Sequence, residues 1–274
     1  MDKKITILGH VCIDRNVSES SRYESWGSAA MYMARYFSSD DSLQTNIIAS
    51  WGDDFTQYTD GLDLYPLLSN VSKTMVYENT SVGGKRTQKC YNADIPNPEL
   101  DDDALTVLGS SDIFILAPLT PSFDSAYMNR AMGSLDQDCL KVLLPQGYFR
   151  AIRSDGTVTP QEFADGRAIV EQFDIVIFSE DDYPHAMDLA EEWSYYTTVV
   201  MTLGPEGAMI VQAGEREVVA VEEPVPPDKI VDSVGCGDTF SAALIRSYYT
   251  ERDIHYAVMM GNEAARRKLL TTRE

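Results

Sequence analysis

The chain has 274 residues, 44% of them hydrophobic, so it can form one large α/β domain or two small domains. Lys and Arg number 22 against 43 Asp and Glu, and the net charge of −21 argues against nucleic acid or an anionic membrane surface as a partner. The chain starts like a β-strand rather than a signal peptide, and no apolar run is long enough to span a membrane. We therefore expect a cytoplasmic protein.

Short, nearly continuous apolar runs alternate with segments of helical character along the chain. Such runs are typical of parallel strands that are covered on both faces. Strands are predicted over 4–8, 45–50, 112–116, 140–144, 174–178 and 198–202, helices over 27–37, 122–132, 162–172 and 184–193, and an antiparallel edge hairpin over 208–212 and 217–221. The alternation predicts an α/β fold with a mostly parallel central sheet and helices on both sides, which makes three layers in the order α/β/α.

Two regions break this alternation. Residues 72–91 contain two strand-like runs joined by Ser81-Val82-Gly83-Gly84, which indicates a hairpin, and residues 11–25 are polar without helical periodicity. We expect these regions to form a small β lid beside the main sheet. The predicted division is a lid of residues 11–25 and 72–96 and a core of residues 1–10, 26–71 and 97–274.

The segment most informative about chemistry is Gly235-Cys236-Gly237-Asp238, which opens a helical run. Two glycines permit a tight turn with no side chain over it, and the peptide N–H groups at a helix start can bind an anion. A carboxylate at the edge of this turn can accept the proton of a hydroxyl that attacks phosphorus. The same spacing is also compatible with a helix start that Asp238 simply caps.

Other catalytic signatures are absent from the sequence. It contains no Walker A pattern, no G-x-S-x-G elbow and no H-E-x-x-H. The first strand is not followed by G-x-G-x-x-G, which argues against a dinucleotide-dependent dehydrogenase.

The segment Asp232–Asp238 resembles the D-T-x-G-A-G-D signature of the ribokinase-like, or PfkB, family of sugar and nucleoside kinases. Ser233 stands for Thr and Cys236 for Ala, and both are small enough to leave the turn intact. Further similarities follow in the order of the family: Gly9 and Asp14, the Trp51–Phe55 turn, Ser179–Asp182 at the N-x-x-E position, and Thr202–Ala208 at the T-L-G-x-x-G-A loop.

The resemblance implies a ribokinase-like sandwich that moves the γ-phosphoryl group of ATP to an alcohol. In that family pattern Asp238 is the base, and the amides of Gly235, Cys236 and Gly237 form the anion hole. Asp14 would accept hydrogen bonds from substrate hydroxyls.

The resemblance also implies sites for the nucleotide and for cations. The nucleotide would be lined by Thr202, Gly204, Gly207 and Asn262, and Mg²⁺ would be held through water by Glu180 and Asp182. Asp232 and Val234 match family positions that can ligate a monovalent cation such as K⁺.

The substrate region departs from the family's G-G-x-x-x-N pattern. In the run Trp26-Gly27-Ser28-Ala29-Ala30-Met31, Trp26 replaces the first glycine and Met31 replaces the Asn. A hydroxyl contact is lost and an apolar wall is gained, and Trp26 is suited to stacking on a sugar or base ring. Packing into the core is an equally open interpretation of both side chains.

Two further segments supply candidate substrate residues. Gln146 and Arg150 follow a strand and resemble the Q-G-x-x-R segment of the inositol-kinase-like branch, near substrate or phosphate, although a structural turn is the alternative. Arg86, in the first hairpin, could reach into the site from the lid. Lid strands of relatives often pair between subunits, so the sequence leaves both a homodimer and a monomer open.

Three functions remain open. A sugar, inositol or sugar-like alcohol is the preferred acceptor because of the Gln146–Arg150 segment, and a nucleoside is the alternative because of Trp26 and Met31. A non-catalytic nucleotide- or sugar-binding protein on the same scaffold is the competing class, favoured by the departures at Ser179, Asp182 and Met31.

Overall fold

The computed structural model describes residues 2–19, 21–82 and 85–271, without the side chains of residues 81, 82, 85 and 86. The strands in this part of the chain are β1 (Lys3–Gly9), β2 (Cys12–Ser18), β3 (Arg22–Gly27), β4 (Leu43–Ile48), β5 (Asp63–Tyr65), β6 (Met75–Val82), β7 (Lys85–Tyr91), β8 (Ile113–Ala117), β9 (Leu140–Leu143), β10 (Arg150–Ile152), β11 (Val158–Pro160), β12 (Ile175–Ser179), β13 (Thr198–Thr202), β14 (Ala208–Gln212) and β15 (Glu215–Val219). The α-helices are α1 (Ala29–Phe37), α2 (Asp102–Gly109), α3 (Ser125–Met132), α4 (Gly166–Val170), α5 (Ala186–Trp193), α6 (Cys236–Glu251) and α7 (Ile254–Leu269).

The large sheet has the strand order β15-β14-β13-β12-β9-β8-β1-β4-β5 within the described residues. All neighbours from β13 to β5 are parallel, whereas β14 and β15 run antiparallel at one edge. The predicted parallel sheet and its antiparallel edge hairpin are therefore confirmed.

The sheet is covered by helices on both faces, which confirms the three-layer α/β/α sandwich. Along β8, Ile113 and Ile115 pack into the core cluster that contains residues of α1, α6 and α7, whereas Phe114 and Leu116 pack into the cluster that contains residues of α2 to α5. This alternation follows from the two-residue period of a strand, and it explains why the strand is apolar at every position.

A second sheet of four strands, in the order β3-β2-β6-β7, lies in the two regions that break the alternation. The polar segment after β1 is thus an antiparallel hairpin, β2–β3, and β2 also pairs in parallel with β6. The expected hairpin β6–β7 is present, and residues 83 and 84 of its turn lie outside the described part of the chain.

The chain between β9 and α4 contains a turn, which was the alternative left open for the Gln146–Arg150 segment, and a hairpin that the sequence did not indicate. Residues Pro145–Phe149 form a 3-10 turn directly after β9, and β10 and β11 form a short antiparallel hairpin. Thr157, between β10 and β11, forms an isolated bridge to Lys89 of β7, which links the small hairpin to the edge of the second sheet. Within the described ranges, none of the helices is long and apolar enough to cross a membrane.

Candidate active site

A narrow cleft of about 90 Å³ lies where the parallel strands end. Its lining includes Gln146 after β9, Asp182 after β12 and Thr202 at the end of β13. Gly237 and Asp238, in the first turn of α6, lie in the same lining. The carboxyl ends of parallel strands share one edge of the sheet, and ligands of open α/β sheets bind there. The topology thus joins four separate parts of the chain at one site.

The turn that opens α6 depends on its two glycines for different reasons. Gly235 has φ 77°, in the left-handed region, and a Cβ on it would overlap the ring of Tyr32 from α1. A Cβ on Gly237 would meet nothing within 4 Å, because this residue faces the open cleft. Gly235 is therefore required by packing, whereas Gly237 keeps the cleft floor free of side chains.

The peptide N–H groups of this turn are not equivalent. The amide of Cys236 donates to the Ser233 carbonyl oxygen at 3.3 Å, so it is already engaged within the turn. N–H groups in the first turn of a helix lack intrahelical acceptors, and Gly237, in that turn, is part of the cleft lining. The anion hole of three amides stays a prediction, and the Cys236 amide is the one that already has an acceptor within the turn.

Asp238 has an electrostatic environment built from distant segments. Burial raises the pKa of its carboxyl from 3.8 to about 7. The Arg150 guanidinium opposes this rise, and the carboxylates of Asp14 and Asp182 add to it. A carboxyl with a pKa near neutrality is well matched to proton transfer at physiological pH. Three of the predicted site residues, Arg150, Asp14 and Asp182, thus affect the pKa of a fourth, Asp238.

Asp14 is held at the junction of the two sheets. It is 8% exposed on β2, and the thiol of Cys12 donates to its Oδ1 at 3.6 Å. A Cβ on Gly27 would overlap the Asp14 carboxyl group, so only glycine leaves room for it. The role of Gly27 is therefore to leave space for the carboxyl group of Asp14.

Arg150 lies at the start of β10, with its guanidinium carbon 5.3 Å from the ring centre of Tyr77. The Tyr77 hydroxyl donates in turn to the Leu119 carbonyl oxygen at 2.7 Å, which fixes the ring. Tyr77 is opposite Asp14 in the pairing of β6 with β2. Tyr77 is a site residue that the sequence analysis missed, and its only sequence signal is a place in an alternating strand.

The predicted magnesium residues are separated by the fold. Asp182 lines the cleft: its Oδ1 accepts from Gln146 Nε2 at 2.8 Å and its Oδ2 accepts from the Ser179 amide at 2.9 Å. Glu180 is exposed and is not part of the cleft lining. Asp182 is therefore the better placed of the two for a metal ion, and a contact of Glu180 through water stays a prediction.

The predicted nucleotide residues include Thr202 in the cleft and Asn262 in a second cavity. Thr202 lines the cleft, and a Cβ on Gly207, where φ is 106°, would overlap the Val219 carbonyl oxygen. That oxygen accepts from Asn262 Nδ2 at 2.9 Å, and Asn262 lines a second cavity of about 510 Å³ between α7 and the segment after β15. Gly204, with φ 55°, has open space where a Cβ would be.

The surroundings of Trp26 and Met31 bear on the two interpretations left open for the run 26–31. Trp26 packs against Tyr32 with ring centres 4.7 Å apart, under the Arg35 guanidinium at 4.7 Å, in a groove formed by α1, α6 and α7. Met31 is fully buried in the core. Neither side chain is part of the cleft lining, which favours packing of the two interpretations left open for these residues.

Ser28 caps α1, because its Oγ accepts from the Met31 amide at 3.3 Å. Its φ of 99° and ψ of 152° belong to a region that non-glycine residues rarely adopt, and such strain is concentrated at functional sites. The backbone of Arg86 lies in β7, opposite Ser81. Its side chain is outside the described part of the structure, so its predicted reach into the site stays a prediction.

The fold is an α/β/α sandwich in which a glycine-containing turn and an adjacent acid, Asp238, lie in a cleft at the ends of the parallel strands. Residues 159–272 match the family model of the pfkB family carbohydrate kinases. The match includes the signature segment and α6, and together with a kinase among the similar proteins it supports a kinase rather than a non-catalytic protein.

Similar proteins are found over the whole chain. The cytidine kinase of Thermococcus kodakarensis is 22% identical over 97% of this chain and 95% of its own length. Among solved structures, a pyrophosphate-dependent kinase in the ribokinase family, complexed with a pyrophosphate analog and myo-inositol, has a TM-score of 0.75 at 14% identity, covering 97% of this chain and 94% of its own. Arabidopsis thaliana ribokinase, complexed with ribose and ATP, has a TM-score of 0.73 at 14% identity, covering 100% of this chain and 94% of its own.

Proposed function

We propose that the protein transfers the γ-phosphoryl group of ATP to an alcohol group of a sugar, an inositol or a sugar-like molecule, with Asp238 as the base. The observation that carries this proposal is the position of Asp238. It lies in a cleft at the start of α6, where burial raises its pKa to about 7. A group of that pKa can take a proton from an attacking hydroxyl at neutral pH and release it to solvent after the transfer.

The proposed step divides the work between Asp238 and the turn before it. The substrate oxygen forms its bond to the γ-phosphorus as its proton passes to a carboxylate oxygen of Asp238, and the bond to the nucleoside diphosphate oxygen breaks. The amide of Gly237, assisted by that of Gly235, holds the oxygens of the migrating group. Amides that are fixed before the reaction need no reorganisation as charge builds up on those oxygens.

Mg²⁺ fits the cleft through Asp182. Magnesium in phosphoryl-transfer sites is commonly bound by one or two carboxylates together with water and substrate phosphates, so a single acid is a sufficient protein donor. Among the described residues, no three acidic, His or Cys side chains converge as a ready-made metal site. The ion would offset negative charge on the phosphates, and Gln146 would hold the carboxylate of Asp182 in place.

The donor would bind between Thr202 in the cleft and Asn262 in the second cavity. The cavity beside Asn262 is within the size range of small-molecule sites, and its position beyond Gly207 suits the nucleoside part of ATP. A similar structure is named as a pyrophosphate-dependent kinase, so pyrophosphate is the alternative donor to be compared.

The acceptor would bind between Asp14, Arg150 and Asp238. A carboxylate and a guanidinium can bind several hydroxyls, as on a sugar or inositol ring. The myo-inositol complex of a similar structure supports that choice, whereas the similarity to a cytidine kinase favours a nucleoside. Trp26 packs away from the cleft, which removes the stacking argument for a base-bearing acceptor.

The lid of residues 11–25 and 72–96 would close over the acceptor. Asp14 of the lid strand β2 is near enough to act on the pKa of Asp238, and exclusion of water would limit transfer of the phosphoryl group to water. The core would comprise residues 1–10, 26–71 and 97–274.

The test is a donor-by-acceptor matrix. ATP and pyrophosphate are each incubated with Mg²⁺ and a panel of pentoses, hexoses, inositols and nucleosides, and phosphorylated products are detected by mass spectrometry. We expect a product from ATP with a polyol acceptor. A product only with nucleosides would replace the proposed acceptor class, and a product only with pyrophosphate would replace the donor.

A further inference from the structure

The signature segment before α6 is fastened to the last turn of α7. The amide of Val231 donates to the Leu269 carbonyl oxygen at 2.9 Å, and the thiol of Cys236 lies 3.9 Å from the Ala265 carbonyl oxygen. Asp232 stabilises the turn between them, because its Oδ1 accepts from the Val234 amide at 2.9 Å. The geometry of the anion-binding turn therefore depends on this acid and on the end of α7.

A lysine from α7 faces the other oxygen of the same acid. Lys268 Nζ lies 3.9 Å from Asp232 Oδ2, and the side chain of Lys268 is only 16% exposed. The Nζ atom is buried and has no hydrogen-bond partner among the residues the structure describes. A buried ammonium group is costly unless an opposite charge compensates for it, and Asp232 supplies that charge.

The position of Lys268 affects whether a monovalent cation can bind at Asp232 and Val234, where the family pattern implies one. A bound K⁺ needs several oxygen ligands and no competing positive charge. Here one oxygen of Asp232 already accepts the Val234 amide, and the other faces the Lys268 ammonium group. The residues present therefore do not fit a bound monovalent cation.

We propose that the ammonium group of Lys268 takes the place of the monovalent cation, so that this kinase is independent of K⁺. Lys268 is a positioning residue: it neutralises Asp232 and thereby holds the turn that leads into Gly235 and Gly237. It touches neither substrate nor phosphate. The consequence is testable, because removal of the ammonium group leaves a buried carboxylate that an added cation can neutralise.

The variant Lys268→Met keeps the apolar stem and removes the charge. Thermal melting is measured in KCl and in choline chloride at equal ionic strength. We expect no K⁺-specific shift for the wild-type protein. We expect Lys268→Met to melt several degrees lower in choline and to recover most of that loss in KCl, with an activation by K⁺ of about tenfold or more wherever turnover is assayed.

The matched control is Arg267→Met. Arg267 precedes Lys268 on α7, is 74% exposed and pairs with Glu263, so its replacement removes the same charge without touching Asp232. It should show no difference between the two salts. Lys268→Arg, which keeps a cation at the position, should also remain independent of K⁺.

Crystals soaked in RbCl show directly whether a monovalent cation binds beside Asp232, because Rb⁺ gives an anomalous signal. An anomalous peak beside Asp232 is expected in Lys268→Met and not in the wild type. A peak or a K⁺-specific melting shift in the wild type would overturn the proposal, as would a Lys268→Met protein that is indifferent to K⁺ or unfolded in both salts. Melting and Rb⁺ binding do not require turnover, so this test stands apart from the proposed role of Asp238.

Discussion

Gln146 and Asp182 join the ends of two neighbouring strands, because Gln146 Nε2 donates to Asp182 Oδ1 at 2.8 Å. Gln146 follows β9 and Asp182 follows β12, which pair in parallel in the sheet. A hydrogen bond to a charged acceptor contributes more than one between neutral groups. This contact therefore fixes the carboxylate that we propose for Mg²⁺.

The first prediction concerns this contact. Gln146→Leu should lower kcat/KM roughly tenfold, because a charge-assisted hydrogen bond of about 1.5 kcal/mol no longer orients Asp182. Gln146→Glu should lower it further, since it sets a second negative charge against Asp182. Gln212→Leu, an exposed glutamine that hydrogen-bonds Thr198 on β13, is the control and should leave kinetics unchanged. Wild-type Mg²⁺ dependence in Gln146→Glu would contradict the role given to Asp182.

The second prediction is the pH dependence of the reaction. Because burial raises the pKa of Asp238 to about 7, the base is protonated below that pH, and kcat/KM should rise through pH 7 and then level off. Arg150 opposes this rise in pKa, so Arg150→Met should move the rising limb to higher pH by roughly 1 pH unit.

The control for this shift is Arg153→Met. Arg153 is an exposed arginine in the same hairpin and is not among the groups that act on Asp238. The measurement is kcat/KM between pH 5 and 9 for the three proteins. The electrostatic account would be contradicted if the pH at which kcat/KM rises were unchanged in Arg150→Met. It would also be contradicted if that pH shifted equally in Arg153→Met.

The third prediction separates the two glycines of the turn. Gly235→Ala should destabilise the protein by about 1–3 kcal/mol, because it combines a left-handed φ with overlap of the Tyr32 ring. Gly237→Ala should melt like the wild type yet lose about a hundredfold in kcat, since its methyl group projects into the phosphate site. Thermal melting and turnover check both. Full activity in Gly237→Ala would exclude this turn as the anion hole.

The fourth prediction links the site to stability. Asp238 has a pKa of about 7 in the fold against 3.8 in the unfolded chain, so its protonated form stabilises the fold at low pH and this contribution is lost as pH rises through 7. Asp238→Asn carries no charge. The excess of its free energy of unfolding over that of the wild type should therefore grow by about 2–3 kcal/mol between pH 5 and pH 8.

Denaturant unfolding at the two pH values measures this difference. Asp228→Asn, at an exposed position before the signature segment, is the control and should show no such pH-dependent gain. Equal stability of Asp238→Asn and the wild type at both pH values would mean that burial does not perturb the carboxyl group.

The strands of the large sheet were predictable because each is buried on both faces. The run 198–202 is β13 as observed, and 174–178 differs from β12 by one residue at each end. The β2–β3 hairpin was not resolved as strands, since polar and apolar residues are mixed in a sheet with one covered face. The β10–β11 hairpin was missed because each strand has only three residues.

The side that Trp26 faces could not be read from the sequence. Trp26 pairs with Ile13, whereas Ser25 pairs with Asp14, so the tryptophan and the acid lie on opposite faces of the second sheet. A shift of one residue in this register would have brought Trp26 to the cleft. Register between strands depends on packing, and no motif in the sequence reports it.

The candidate site was predictable where a motif is continuous along the chain. The spacing from Gly235 to Asp238 predicts the anion-binding turn and its acid. The charges that act on Asp238 come from three other segments, and the pairing of Lys268 with Asp232 joins residues 36 positions apart, so only the fold reveals them.

The central claim is that Asp238 removes the proton of the attacking hydroxyl. Its most direct test is Asp238→Asn, with ATP affinity measured by calorimetry and phosphoryl transfer by ³¹P NMR on the acceptor found in the matrix. We predict that ATP affinity stays within about threefold and that turnover falls by about 10³-fold or more. Turnover within tenfold of the wild type would contradict the claim.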